Sequence, residues 1–256
     1  MTGSDSATGF RTADRGVSET VGFVLIFALI ATTIAVTFTV GLGGLEDAQL
    51  AERDNNVERA FDVLHDNVND LSRDGAPSRA TEIRLGGGEL SFENDSTYRI
   101  NGTGINRSSS TALVYRGAGE TEIRYEHGAV IRSDGEGSIM LEEPDVLFGE
   151  TTMIGFVDLN WLGTKSVGGD RTVLVRSDRG DRTATGLTGN VRVRVEGPTA
   201  DAWHRYFEEQ RDGSGSEAIT GISYNETDNR LRVTMTATGD DSVLVHRTPV
   251  LVRFSD

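Results

Sequence analysis

Side chains able to do chemistry are few and scattered in this 256-residue chain. Cysteine is absent, which excludes disulfides and thiolate metal sites in any compartment. The four histidines, His65, His127, His204 and His246, never stand at a spacing that brings two imidazoles to one metal. No Gly-x-Ser-x-Gly elbow, phosphate loop or dinucleotide fingerprint occurs. Two acidic turns, SDGEGS (Ser133–Ser138) and YNETDNR (Tyr224–Arg230), carry carboxylates that could hold Ca²⁺, but neither has EF-hand spacing. Glu142, Glu143 and Asp145 surround Pro144 and read as a solvated loop, while Arg179, Gly180 and Asp181 spell an adhesion tripeptide that chance accounts for here. The expectation is a protein that is not an enzyme and carries no cofactor or metal.

Modification chemistry is better represented. Asn94, Asn101, Asn106 and Asn225 each open an Asn-x-Ser/Thr acceptor triplet for N-glycosylation, and three of the four fall in one polar, turn-rich stretch. Such clustering favours a C-terminal domain outside the cell. Arginines flank the chain's apolar run on both sides, Arg11 and Arg15 before it and Arg53 and Arg59 after it, so the positive-inside rule is nearly silent. The sequons therefore set the expected orientation, a single-pass protein of the cell membrane with its N-terminus in and its C-terminal domain extracellular.

Acidic residues number 40 against 25 basic ones, and Lys165 is the one lysine. A net charge of −15 makes nucleic acid a poor partner. Arginine at nearly every basic position on an acidic background suits a salt-adapted protein, whose self-repulsion high ionic strength screens. An ordinary acidic protein from a GC-rich genome has the same composition.

The elements that must carry these residues begin with a membrane segment. No charged residue occurs from Thr20 to Leu45, a run long enough to cross a hydrocarbon core as a tilted helix and too long for a secretory h-region. Before it stands DRGVSETVGF, with Glu19 near the start of the apolar residues. This stretch, continued as VLIFALIATTIAV, resembles the N-terminus of archaeal type IV pilin-like and archaellin-like precursors. The resemblance implies a hydrophilic leader over 1–16, cleavage between Gly16 and Val17 by a prepilin peptidase, and retention of the helix. A closer likeness to haloarchaeal membrane proteins of pilin-like organisation extends through ERDNNVERAFDVLHDNVNDLSRDGAPSRATEIRL, about the first third of the chain. Two features depart from the pattern. Many haloarchaeal pilins read Ser-Pro-Val-Ile-Gly where this chain reads Ser18-Glu19-Thr20-Val21-Gly22, and the glutamate that bacterial-type pilins hold fifth in the mature chain would here be third. Glu19 could make an assembly contact with the freed amine of Val17 or of a neighbouring subunit, or could rest at headgroup level beside the helix dipole.

Beyond the membrane run, Val57, Phe61, Leu64, Val68 and Leu71 draw one apolar seam along a charged helix that Gly75 and Pro77 should end. If helix continues through Gly41, Gly43 and Gly44, residues 20–73 form a single rod. The seam is expected to pack on the chain's own following domain, a coiled coil with other subunits being the alternative. From residue 80 onward short alternating runs separated by Gly, Asn, Asp and Ser predict strands, VRVRVEG most clearly, with Val191, Val193 and Val195 on one face and Arg192 and Arg194 on the other. TGLTGNVRV and YNETDNRLRV read as hairpins. One helix interrupts them, PTADAWHRYFEEQRDGSG, capped by Thr199 or Asp201, with Trp203, Tyr206 and Phe207 forming an aromatic plug for one end of a sheet.

The predicted class is therefore α+β. A hydrophobic helix over 17–45 continues as an amphipathic helix over 46–75, followed over 76–256 by a mostly antiparallel β-sandwich head with one short helix. Three roles follow. The first is a pilin-like envelope subunit whose partners are membrane lipid, prepilin peptidase and copies of itself or other pilin-like subunits. The second is a membrane-anchored ectodomain that never polymerises, and the third an extracellular hydrolase.

Overall fold

The computed structural model describes residues 10–117, 119, 121–135, 137–149, 151–213, 217–237 and 242–255; the side chains of 10–19, 46, 47, 237 and 242 lie outside the described set. Helix α1 runs over Phe10–Asn69 and passes through Gly41, Gly43 and Gly44 without interruption. One π-helical turn, Asp70–Asp74, closes it, and Gly75 at φ 78° donates its N–H to the Asp70 carbonyl, a left-handed stop that glycine adopts without steric penalty. The chain forms two compact units, 1–51 and 52–256.

In the first unit, the apolar side chains of α1 from Val21 to Leu45 face outward on all sides, each large one more than half exposed. The helix that begins with them, Thr20–Asp74, is long and apolar enough to cross a membrane. Three of its threonines bond back to the helix: the hydroxyls of Thr32, Thr33 and Thr39 donate to the carbonyls of Ala28, Leu29 and Ala35 at 2.7, 2.8 and 2.9 Å. In lipid, where water cannot partner a hydroxyl, such back-bonding removes the desolvation penalty.

The second unit begins within α1 and continues through β1 (Ser78–Arg84), β2 (Glu89–Glu93), β3 (Thr97–Gly102), β4 (Ile105–Ser109), β5 (Ala112–Arg116), β6 (Thr121–Glu126) and β7 (Ala129–Asp134). There follow β8 (Ser138–Glu142), β9 (Val146–Leu147), β10 (Thr151–Trp161), β11 (Ser166–Gly168), β12 (Thr172–Arg179), β13 (Thr183–Leu187) and β14 (Gly189–Glu196). Helix α2 (Ala200–Asp212) precedes β15 (Ile219–Asn225), β16 (Arg230–Ala237) and β17 (Ser242–Ser255). Three sheets result. The first has the order β1-β12-β17-β10-β9 with β13 also on β17, the second β11-β2-β5-β6-β7-β8, and the third β15-β16-β14-β3-β4. The α+β expectation, a long apolar helix before a mostly antiparallel β-rich domain with one short helix, holds. The described pairings are antiparallel except β10 with β17, which run parallel from Thr151 opposite Ser242 to Trp161 opposite Val252. Parallel neighbours need a long crossover, and here it comprises every element from β11 to β16. Pro249 sits inside β17 where the strand's other neighbour changes from β13 to β12, so its missing N–H breaks no ladder on that side.

Two apolar cores hold the unit together. In one, Val57, Phe61, Leu64 and Val68 of α1 and Leu71 of its closing turn, each no more than 2% exposed, pack on Ile83, Phe92, Tyr115, Tyr125, Val175 and Val252 of the first two sheets. The seam is thus buried in the chain's own domain, as its spacing predicts. In the other, Val191, Val193, Val195, Leu231 and Val233 of the third sheet meet Trp203, Tyr206 and Phe207 of α2, the expected plug.

Two local readings differ from the structure. The turn-rich stretch with three sequons contains the hairpin β3–β4, because Tyr98, Ile100 and Ile105 are buried anchors among Asn, Gly and Ser. TGLTGNVRV is not a hairpin: β13 pairs with β17 while β14 pairs with β16 and β3, so Leu187 to Gly189 is a corner between sheets. YNETDNRLRV does form the β15–β16 hairpin, Asn225 opposite Arg230.

Candidate functional site

The predicted processing and assembly residues, Gly16, Val17 and Glu19, have helical backbone within α1, and their side chains lie outside the described residues. What the described part of the first unit offers is the helix surface itself, a continuous apolar cylinder from Val21 to Leu45 in which the hydroxyls of Thr32, Thr33 and Thr39 are internally bonded. Its chemistry is partition into lipid or packing against other apolar helices.

The four sequons are unequal once folded. Asn106 and Asn225 are exposed, Asn101 is half-buried, and Asn94 is exposed with its Oδ1 accepting from the Thr111 hydroxyl at 3.1 Å. Ser96, the hydroxyl residue of the first triplet, is 1% exposed and lies 3.4 Å from His127 Nε2. Asn101 and Asn106 stand opposite each other across β3–β4. Asn225 caps its own turn, its Oδ1 accepting from the N–H groups of Thr227 and Asp228 at 2.9 and 3.2 Å.

The two acidic turns that the sequence singles out converge. Ser133, Gly135 and Gly137 from one and Tyr224, Glu226 and Asn229 from the other line a polar cavity of about 660 Å³, together with His204 of α2. His204 stacks on Tyr224 with centroids 4.7 Å apart and lies 3.4 Å from the Glu208 carboxylate. Among the described residues no three His, Asp or Glu side chains are grouped to hold a metal ion. Of the carboxylates around Pro144, Asp145 is less free than a solvated loop implies: it accepts two bonds from Arg73, at 2.9 and 2.6 Å.

A buried polar network that sequence reasoning misses lies between β6 and α2. Glu126 has no exposed surface and accepts from Trp203 Nε1 at 3.0 Å, from Arg124 at 3.2 Å and from the Thr199 hydroxyl. Thr199 precedes α2, yet its hydroxyl does not cap the helix because Glu126 takes it, and the Asp201 carboxylate likewise accepts from the Ser138 N–H at 3.1 Å. Arg124, 1% exposed, also donates to both oxygens of Asp95 at 3.0 and 2.9 Å and to Glu122 at 3.0 Å. Burial works against ionisation of Glu126, but His127, Arg124 and the hydrogen bonds from Thr199 and Trp203 outweigh it and hold the carboxyl below its usual range. His127 and Gly128, at φ 51° and 92°, make the two-residue turn between β6 and β7. Burial pushes the His127 imidazole down to about 4, so the ring is neutral near pH 7. Through the buried Glu126, which bonds Arg124 on its own strand and Thr199 and Trp203 at the other side, this constellation pins α2 to the second sheet. Its one sequence signal is the run Arg124-Tyr125-Glu126-His127, polar residues alternating where a central strand should be apolar.

A helix long and apolar enough to cross a membrane, followed by a β-rich domain of three sheets with one short helix, defines the architecture. Residues 15–253 match a family of unknown function, DUF7289, and the chain belongs to that family. A protein of Archaeoglobus fulgidus described as uncharacterized is 28% identical over 79 residues, 31% of this chain and 26% of the relative, so the chain spans about a quarter of the length of that relative. No solved structure matches.

Proposed function

We propose that this chain is a pilin-like envelope subunit, exported with its β-rich domain outside, trimmed between Gly16 and Val17 by a prepilin peptidase, and retained by its apolar helix. The observation that carries the reading is the contrast along α1. From Val57 to Leu71 its apolar seam is fully buried in its own domain, whereas from Val21 to Leu45 its apolar surface is bare on every side. The second stretch needs lipid, or a bundle of identical helices, to cover it. Ala28, Ala31 and Ala35 with the self-bonded Thr32 and Thr33 supply small residues for close helix approach. Glu19 would be third after the cut, with the new amine at Val17 or that of a neighbouring subunit as its partner. The role is structural rather than enzymatic.

The test is the N-terminus of the mature protein from native envelopes, read by mass spectrometry with and without the prepilin peptidase. A chain that starts at Val17 only when the peptidase is present supports the reading. One that keeps residues 1–16 in both strains overturns it and leaves a non-polymerising, membrane-anchored ectodomain. That second reading draws support from the same seam: with Val57 to Leu71 consumed internally, this stretch of α1 offers no apolar face to a neighbour.

A further inference from the structure

The outward face of the third sheet carries a charge pattern that the fold does not need. Val191, Val193, Val195, Leu231, Val233, Tyr98 and Ile100 point into the core, so the alternate residues of β14, β16 and β3 point out. In that outward layer Arg194 is registered opposite Arg232 on one side and opposite Arg99 on the other. Arg192 and Arg230 extend the row into a patch of five guanidinium groups on three adjacent strands. Like charges directly opposite each other destabilise an antiparallel pair. Glu196 relieves part of the patch, 2.6 Å from Arg230 and 3.9 Å from Arg194, and Asp228 lies 3.6 Å from Arg230. Arg99, Arg192 and Arg232 have no ion pair or side-chain hydrogen bond among the described residues. In a chain of net charge −15, five arginines gathered on one sheet face are a local reversal of sign.

A complementary surface exists on the elements of the other core. Asp62 and Asp66 are exposed on α1, one turn apart, beside Glu142 of β8. Burial and then the negative charge of Asp62 raise the Glu142 carboxyl above its usual value, with Asp66 adding to the effect and His65 opposing it. Acidic side chains are therefore crowded there as basic ones are on the third sheet.

We propose that the outward Arg99–Arg194–Arg232 face is a docking surface for the Asp62–Asp66–Glu142 patch of a second copy of this chain. The contact is heterologous, each domain offering its basic sheet to one neighbour and its acidic helix to another, so it propagates in a row instead of closing as a two-fold dimer. Charge complementarity selects the occupant, and anchoring by α1 supplies it: copies held in one membrane meet at high effective concentration. The proposal rests on copies standing side by side in a membrane but not on trimming after Gly16. Chains that keep their leader and still dock would sink the pilin reading and leave this one standing.

The absence of native cysteine makes the test direct. Full-length chains carrying Ser223→Cys, opposite Arg232 on the basic face, and Asp66→Cys, on the acidic patch, are mixed in neutral lipid vesicles at about 0.1 M salt, where the Debye length is about 10 Å, and oxidised. The expected result is a mixed disulfide dimer in excess of either homodimer. Its yield should fall about tenfold when the Ser223→Cys chain also carries Arg99→Glu, Arg194→Glu and Arg232→Glu. Adding Asp62→Arg and Glu142→Arg to the partner should restore it, which also shows that the reversed chain is folded. Equal yields of the three dimers, a yield that reversal leaves unchanged, or loss without rescue would overturn the proposal. Capture of dextran sulfate by the arginine face in the absence of any dimer would overturn it too.

Discussion

The indole N–H of Trp203 donates to the carboxylate of Glu126 across 3.0 Å, joining residues 77 positions apart, and both side chains are wholly buried. An ionised carboxylate in that position is stable only because Arg124 and two further donors face it. The network it belongs to makes the domain sensitive to acid.

Two signs agree on this. The folded-state pKa of His127 is depressed to about 4 from an ordinary 6.5, so the unfolded chain binds more protons between those values and stability declines as pH falls through them. Glu126, also depressed, adds a loss at lower pH as its carboxylate is protonated. Thermal unfolding of the wild type is expected to show about 3 kcal/mol less stability at pH 4 than at pH 7 from His127 alone. His127→Asn, which keeps a residue tolerant of the φ 51° turn, should flatten the slope between pH 4 and 6.5.

Phe61 and Val63 lie two residues apart on α1 and should behave oppositely. Phe61 has no exposed surface and Val63 is 50% exposed. Denaturant titration of the head should register a loss of about 3–5 kcal/mol for Phe61→Ala and less than about 0.5 kcal/mol for Val63→Ala.

That seam was readable from spacing alone, since five apolar residues at intervals of four and three stood among charges. Val191, Val193 and Val195 were readable for the matching reason at period two. The hairpin β3–β4 was not, because its alternation is hidden in a run of Asn, Gly, Thr and Ser that reads as turn chemistry. Nor could the Glu126 network be found, its members being drawn from Asp95, Arg124 and Trp203 by tertiary packing. The arginines at 192 and 194 were visible as the polar side of a strand; that Arg194 stands opposite both Arg99 and Arg232 depends on register, which spacing does not encode.

Glycans added to the folded domain are expected on Asn106 and Asn225 and not on Asn94, whose triplet hides Ser96 in the core. Glycopeptide mass spectrometry of envelope protein would measure the occupancy of each site. A glycan on Asn101, opposite Arg192 by register, would stand on the arginine face, so occupancy there and Ser223–Asp66 cross-linking should be anticorrelated.

Ile34 is 63% exposed near the middle of the uncharged run. Ile34→Arg should cost about 2.5–3.5 kcal/mol of insertion free energy, and Ile34→Leu almost nothing. Carbonate extraction of membranes, comparing the fraction of each variant that stays in the pellet, checks this.

The position of β17 has a further consequence for the order of events in making the protein. It is the last strand in sequence, yet it lies between β10 on one side and β12 with β13 on the other, and it supplies Val243 and Val245 to one core and Val250 and Val252 to the other. Neither core is complete until residues 242–255 have been synthesised. The apolar run of α1 leaves the ribosome long before that, so the head closes last, with the unfinished sheets waiting open for their central strand.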